Sequence, residues 1–238
     1  MAQEKIDIKD YLARLGIDSK EINLVDYDAI GEHCARKNRE PNSENAKRYG
    51  LYFRPNYERG ILIDSVMRHF NLGSYLEIGF GRGYSAVCAA LSFIKRGMDP
   101  DITVVDPYLD EKYIEHLSRM FPVIKKFNFH KESSAKFWYE RHGKSERWDF
   151  TYIDGDHSSD ATQIDWDGAE QHTNRFVLFD DYHEATKLDI GIACAHAIDK
   201  IQRDKTYIVT DRRIFPDDLG PRTLDEMNYG QVLIDVTK

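Results

Sequence analysis

The sequence has few cysteines and no long apolar run. Cys34, Cys88 and Cys194 stand far apart among 238 residues, and their spacing fits neither a zinc site nor a redox pair. This excludes a disulfide-rich secreted scaffold and suits a reducing compartment. No stretch approaches the ~18 apolar residues of a membrane span. The first 16 residues are charged throughout, unlike a signal peptide. We therefore expect a soluble, cytoplasmic protein.

Positive charge is also scarce. Lys and Arg number 33 against 41 Asp and Glu, which gives a net charge of −8. Nucleic acid binding requires a concentrated basic face, so we expect no nucleic acid partner. Because the sequence has no apolar span, we also expect no membrane partner. One local exception is residues 35–60, which carry seven Lys and Arg. This segment is either a solvated surface loop or a lid that contacts an anionic substrate.

A polar segment at residues 38–50, "NREPNSENAKRYG", predicts a boundary in the chain. We expect a helical N-terminal extension over residues 1–55, acting as a lid or as a contact in a homo-oligomer. Residues 56–238 would form the main domain. There, seven apolar strand patterns alternate with helical patterns, which predicts an α/β fold with a Rossmann-like, doubly wound seven-stranded sheet. The last two strands are joined without a helical pattern, so we expect an edge hairpin with the last strand antiparallel.

A glycine-rich turn follows the first strand of this domain. In "LEIGFGRGYSAV" (76–87), Gly79, Gly81 and Gly83 open a strand-to-helix turn where a ligand can approach the backbone. Asp106 ends the next strand, 27 residues after Gly79, and is placed to accept hydrogen bonds from a ribose. Turn and acid together predict an adenosine-containing ligand.

Three carboxylates end two later strands. Asp154 lies in "YIDGDH", and Asp180 and Asp181 lie in "FDDYH". Carboxylates are costly to bury unless a cation or a donor meets them. Converging at a ligand-binding edge, they predict a hard divalent cation, most naturally Mg²⁺, with Mn²⁺ and Ca²⁺ left open. The alternative is that Asp180 and Asp181 only cap a following turn.

The motif E-x-G-x-G-x-G (77–83), followed by an acid on the second strand, resembles motif I of class I S-adenosylmethionine-dependent methyltransferases. The resemblance covers about residues 57–238. The glycine turn is especially similar to that of catechol O-methyltransferases, and "YIDGDH…FDDYH" to that of D-G-D-H sugar and macrolide O-methyltransferases. The resemblance implies a divalent-metal-dependent O-methyltransferase that acts on a hydroxyl of a sugar, a phenol or a secondary metabolite.

The resemblance also implies which residues meet the cofactor, S-adenosyl-L-methionine. Glu77, Gly79 and Ser85 would hold its methionine end, Asp106 its ribose, and Ser133 would lie beside its adenine. For Ser133 an N-cap role in the following helix is the open alternative. The full set implied for the cofactor is Glu77, Gly79, Gly81, Gly83, Ser85, Asp106, Ser133 and Asp154.

Two histidines are candidate bases. His157 stands where D-G-D-H relatives carry His and catechol-type enzymes carry Lys, and a neutral imidazole suits proton removal near pH 7. His183 is the rival base or a partner of His157. The resemblance assigns the metal to Asp154, Asp180 and Asp181, although catechol-type enzymes have Asn at the last position.

Two other functions remain open at this stage. The glycine turn could serve a nicotinamide-dependent oxidoreductase, but its third glycine comes one place early for the G-x-G-x-x-G fingerprint. The chain could also be a cofactor-binding or metal-binding module without catalysis.

Overall fold

The computed structural model describes residues 3–34, 36–37, 52–53, 57–183, 192–210 and 229–237. The strands are β1 (Gln3–Asp7), β2 (Arg36–Lys37), β3 (Tyr52–Phe53), β4 (Tyr75–Ile78), β5 (Ile102–Val105), β6 (Asn128–His130), β7 (Trp148–Ile153), β8 (Thr173–His183), β9 (Lys205–Val209) and β10 (Tyr229–Asp235). The helices are α1 (Ile8–Arg14), α2 (Leu24–Cys34), α3 (Tyr57–His69), α4 (Tyr84–Lys95), α5 (Glu111–Met120), α6 (Ser134–Arg141), α7 (Ser159–His172) and α8 (Ile192–Lys200). Short 3₁₀ turns cover Ser19–Glu21 and Pro122–Lys126.

One sheet organises the chain, with the strand order β1-β9-β10-β8-β7-β4-β5-β6. Strands β4 to β8 pair in parallel, and β10 runs antiparallel to both β8 and β9. This confirms the expected α/β, Rossmann-like fold with an antiparallel last strand. The predicted hairpin of the last two strands forms this antiparallel end of the sheet, and β1 adds one further strand outside β9.

Strand β1 adds an eighth strand to the seven that the sequence predicts. It pairs in parallel with β9, and Gln3 lies opposite Lys205. Its sequence, QEKID, contains a single apolar residue and lacks the alternation that marks a half-buried strand. The N-terminal segment therefore holds the predicted helices α1 and α2 and, in addition, a strand of the main sheet.

Helices α1 and α2 pack against the same core as the sheet. Ile8 and Leu12 of α1 are fully buried in it. On α2, the Tyr27 hydroxyl donates to the buried carboxylate of Asp64 in α3. Asp64 also pairs with Arg68 at 3.0 Å and with Lys95 at 3.3 Å, so its charge is neutralised where it is buried. The polar segment 38–50, where the sequence predicts a boundary, lies outside the described residues.

Apolar side chains on the two faces of the sheet form two separate cores. Adjacent residues divide between them: Tyr75 belongs to one core and Leu76 to the other, and Leu178 and Phe179 divide in the same way. Successive side chains of a strand point to opposite faces, so helices must cover both. The three cysteines are buried and free. None of the described helices is long and apolar enough to cross a bilayer.

Candidate functional site

The glycine turn joins β4 to α4 in a backbone conformation that suits glycine. Gly79 has φ +92° and Gly83, the residue that precedes α4, has φ +76°, both in the left-handed region that other residues rarely adopt. A Cβ atom on Gly79 would lie 2.0 Å from the carbonyl oxygen of Asp154. The turn after β4 and the acidic loop after β7 are therefore in direct backbone contact.

Glu77 and Ser85 meet behind this turn. The Glu77 carboxylate is fully buried and accepts hydrogen bonds from the Tyr75 hydroxyl (2.7 Å) and the Ser85 hydroxyl (2.8 Å). Burial raises the pKa of Glu77 to about 7, although both hydroxyls and the charge of Arg59 act to lower it. The Glu77 carboxyl therefore takes up a proton at a higher pH than an exposed glutamate does.

Asp106 ties the end of β5 to the glycine turn. Its Oδ2 accepts from the amides of Phe80 (2.9 Å) and Gly81 (3.3 Å), and its Oδ1 accepts from the amide of Tyr108 (2.7 Å). A carboxylate offers about four acceptor positions, so one remains for a ribose hydroxyl. A cleft of about 200 Å³ opens here, lined by Phe80, Gly81, Arg82, Asp106, Tyr108, Leu109, Asp110 and Tyr113.

Ser133 serves as the N-cap of α6. Its hydroxyl accepts from the amide of Lys136 at 3.3 Å, which satisfies one of the free donors at the helix start. The N-cap alternative is thus confirmed. Contact with an adenine stays a prediction for this residue.

The acidic residues come together at the carboxyl edge of two adjacent strands. β7 and β8 pair in parallel with Ile153 opposite Phe179, which places Asp154 next to Asp180 and Asp181. The side chains differ in exposure: 19% for Asp154, none for Asp180 and 28% for Asp181. The strand-end reasoning therefore locates this cluster.

An arginine that the sequence did not single out for the site lies between two of these acids. Arg59, in the first turn of α3, places Nη1 3.1 Å from Asp154 Oδ2 and also donates to Asp180 Oδ2. The other oxygen of Asp180 accepts from Gln231 Nε2 of β10 at 2.7 Å. The buried Asp180 carboxylate is thus held from two sides by donors of the chain.

Burial and these contacts set the two pKa values in opposite directions. Burial acts to raise the pKa of Asp180, but the Arg59 guanidinium and hydrogen bonds from Gln231 and Tyr152 bring it below its usual value. Burial and the adjacent charge of Asp180 raise the pKa of Asp154 well above its usual value, despite Arg59. Asp180 is therefore the more readily ionised acid of the pair.

His157 lies beside the third acid. Its Nε2 is 3.4 Å from Asp181 Oδ2. One donor atom each from Asp154, His157 and Asp181 lie within 4.8 Å of one another, so these three residues could hold a metal ion. In this group His157 takes the position that the sequence analysis gave to Asp180. For His183 the structure describes only the backbone, at the end of β8, so its role stays a prediction.

Three residues of the site were missed, and each lacked a motif. Arg59 stands in the basic segment, but nothing local predicts that it reaches two strand ends. Gln231 is a fully buried amide directly before the apolar residues 232–234 of its strand, and that contrast was a usable signal. Tyr75 is two positions before Glu77 and therefore points to the same face of β4.

Known proteins share this architecture. Residues 76–182 match the sequence model of a family described as a methyltransferase domain. Among curated proteins no sequence matches the chain. The structure is similar to that of cofactor-bound Rv0187 from MTB, with a TM-score of 0.58 and 13% identity over 98% of this chain and 99% of that one.

Two further structures carry more specific names. The O-methyltransferase TomG from Streptomyces achromogenes, involved in tomaymycin synthesis and solved with S-adenosylmethionine, has a TM-score of 0.55 and 12% identity, covering 96% of this chain and 95% of TomG. An O-methyltransferase from Bacillus cereus, solved with S-adenosylhomocysteine, has a TM-score of 0.50 and 13% identity, covering 96% of both chains. At such identities these likenesses establish the shared fold.

Proposed function

We propose that this chain, whose residues 76–182 match the methyltransferase-domain family, is a class I S-adenosylmethionine-dependent methyltransferase that methylates a hydroxyl oxygen of a small molecule. One observation carries the proposal: the backbone contact of Gly79 with Asp154, which joins the turn expected at the cofactor to the loop with the acids and His157. A methyl donor and a group that removes a proton would then face the same space. The structures named O-methyltransferases support oxygen as the acceptor atom.

The cofactor supplies a methyl group on a sulfonium. Transfer requires oxygen, methyl and sulfur to be held in line and the hydroxyl proton to leave. We assign proton removal to His157. In the neutral tautomer that carries its proton on Nε2, Nδ1 is the acceptor. Asp181 Oδ2, 3.4 Å from Nε2, would stabilise the imidazolium once it forms.

We also propose that the acidic cluster binds a divalent cation. The carboxylates of Asp154 and Asp181 with the imidazole of His157 fit Mg²⁺ or Mn²⁺ in donor type and mutual distance. Such an ion would lower the pKa of a substrate hydroxyl. An imidazole that ligates the ion through one nitrogen carries its proton on the other, so His157 is either a base or a ligand at a given moment.

The test is transfer of labelled methyl from S-adenosylmethionine to a panel of sugars and phenols with neighbouring hydroxyls, with Mg²⁺ and with EDTA. We expect a methyl ether and S-adenosylhomocysteine in equal amounts, and turnover that Mg²⁺ restores after EDTA. Methylation of amines but not of hydroxyls would contradict the assignment to oxygen. Unchanged turnover in EDTA would remove the metal from the proposal and leave methyl transfer standing.

A further inference from the structure

We propose that Arg59 is an internal cation that competes with a divalent ion for the carboxylates of Asp154 and Asp180. The inference rests on the proposed metal-assisted function and deepens it. It assigns a role to a residue outside every motif of the sequence. The enzyme would alternate between a state in which the guanidinium neutralises the acids and a state in which the metal does.

The Arg59 guanidinium lies between two carboxylates, where it can take the place of a metal ion. A single nitrogen, Nη1, meets Oδ2 of Asp154 at 3.1 Å and also Oδ2 of Asp180. The Arg59 side chain is 17% exposed, and the side chain of Asp180 is fully buried. A partly buried guanidinium between two converging carboxylates does there what a metal ion would do, because it neutralises charge and offers directed bonds.

The contacts of Asp180 bear on which acids can bind a metal ion. Its Oδ1 accepts from Gln231, and its Oδ2 accepts from Arg59. The cluster whose donor atoms suit a metal contains Asp154, His157 and Asp181 and omits Asp180. The three-aspartate set that the sequence predicts therefore requires Arg59 to leave Asp180.

Charge makes the two cations exclude each other. A divalent ion bound to Asp154 would lie close to a guanidinium that contacts the same carboxylate oxygen. Two positive charges at such a distance repel, and a partly buried site screens them weakly. Metal binding with Arg59 in place is thus weakened, and tight binding requires the Arg59 side chain to move away.

The test compares Mn²⁺ binding, followed by electron paramagnetic resonance, in the full chain with S-adenosylhomocysteine. Arg59→Gln keeps a polar side chain and removes the charge, whereas Arg59→Lys keeps the charge. Arg119→Gln is the control, because Arg119 lies exposed on α5 and pairs with Glu115. We expect Arg59→Gln to bind Mn²⁺ at least tenfold more tightly than the wild type, and the other two variants to bind within threefold of it. Equal or weaker binding by folded Arg59→Gln would overturn the proposal.

A second measurement does not depend on a variant that folds. In wild-type crystals soaked with Mn²⁺, an anomalous peak at the acids should coincide with an Arg59 side chain that no longer bridges Asp154 and Asp180. A peak with the bridge intact would overturn the competition.

The methyl-transfer assay separates this proposal from the proposed function. Tighter Mn²⁺ binding by Arg59→Gln without any methylated hydroxyl would support the competition and contradict O-methyl transfer. Methylated product without any Mn²⁺ binding, by the wild type or by Arg59→Gln, would contradict the competition and support O-methyl transfer.

Discussion

The carbonyl oxygen of Asp154 occupies the place where a side chain on Gly79 would begin, 2.0 Å from the position of a Cβ atom. The cofactor turn and the acidic loop are therefore held together by backbone packing, and a change in one must displace the other. This contact is the basis of the first prediction.

Gly79→Ala should destabilise the protein and weaken binding of S-adenosylhomocysteine. Alanine at φ +92° is strained and its methyl group would clash with backbone. Gly81→Ala is the matched control, because Gly81 has φ +51° but, apart from its two chain neighbours, none of the described residues has an atom within 4 Å of the place that an alanine methyl group would take. Urea unfolding should show a loss that is about 1–3 kcal/mol larger for Gly79→Ala, the usual range for overpacking. Equal losses would mean that the contact does not constrain the turn.

His157→Ala should lower kcat by about 10²- to 10⁴-fold, the usual range for loss of a general base. The affinity for S-adenosylhomocysteine should stay constant. His116→Ala, at an exposed position on α5, should leave both unchanged. If His157→Ala instead weakens Mn²⁺ binding and keeps kcat at saturating metal, His157 is a ligand and another group removes the proton.

Asp181→Asn should reduce Mn²⁺ affinity at least tenfold and abolish the Mg²⁺-stimulated part of turnover. Asp181 has φ +54°, a conformation that Asn tolerates, so the backbone should be preserved. Calorimetric titration with S-adenosylhomocysteine should give an affinity within twofold of the wild type. Loss of cofactor binding together with metal binding would indicate that Asp181 maintains the fold of the loop.

Glu77→Gln should flatten the dependence of stability on pH. Burial raises the pKa of Glu77 from 4.5 to about 7 in the folded protein, so the native state holds a proton that the unfolded state releases. Its contribution is complete below pH 4.5 and is lost as the pH rises through 7. A difference of 2.5 pKa units corresponds to about 3 kcal/mol.

Urea unfolding at pH 5, 6, 7 and 8 measures this effect. The wild type should lose stability relative to Glu77→Gln across the series, because Gln carries no charge at any of these values. Glu115→Gln, at an exposed position on α5, should run parallel to the wild type. Parallel curves for Glu77→Gln as well would show that the Glu77 carboxyl does not titrate in this window.

The sequence predicts those parts of the fold and site that depend on local patterns. Strand ends in a parallel sheet share one edge, so the meeting of Asp154 with Asp180 and Asp181 follows from the strand pattern alone. The turn at Gly79 follows from its glycines. Strand β1 could not be predicted in this way, because only Ile6 in Gln3–Asp7 is apolar. These residues form a strand because they pair with β9, which lies far away in the sequence.

Arg59 shows a different limit. Its place between two carboxylates depends on how α3 packs across the sheet, which no window of sequence encodes. The divalent cation that the sequence predicts at these acids stays a prediction, and the structure shows a guanidinium of the chain between two of them. Pattern analysis identifies the acids because they follow apolar strands directly. Arg59 lies in a segment that contains several other basic residues, so its position carries no comparable signal.

The position of β1 has a consequence for synthesis of the protein. Its first residue, Gln3, pairs with Lys205, 202 positions later. During synthesis the residues of β1 thus leave the ribosome long before their partner strand β9 exists. At translation rates of about 5–20 residues per second, this wait lasts on the order of 10 to 40 seconds. One border of the sheet is therefore closed only after β9 has been made, long after β1 itself.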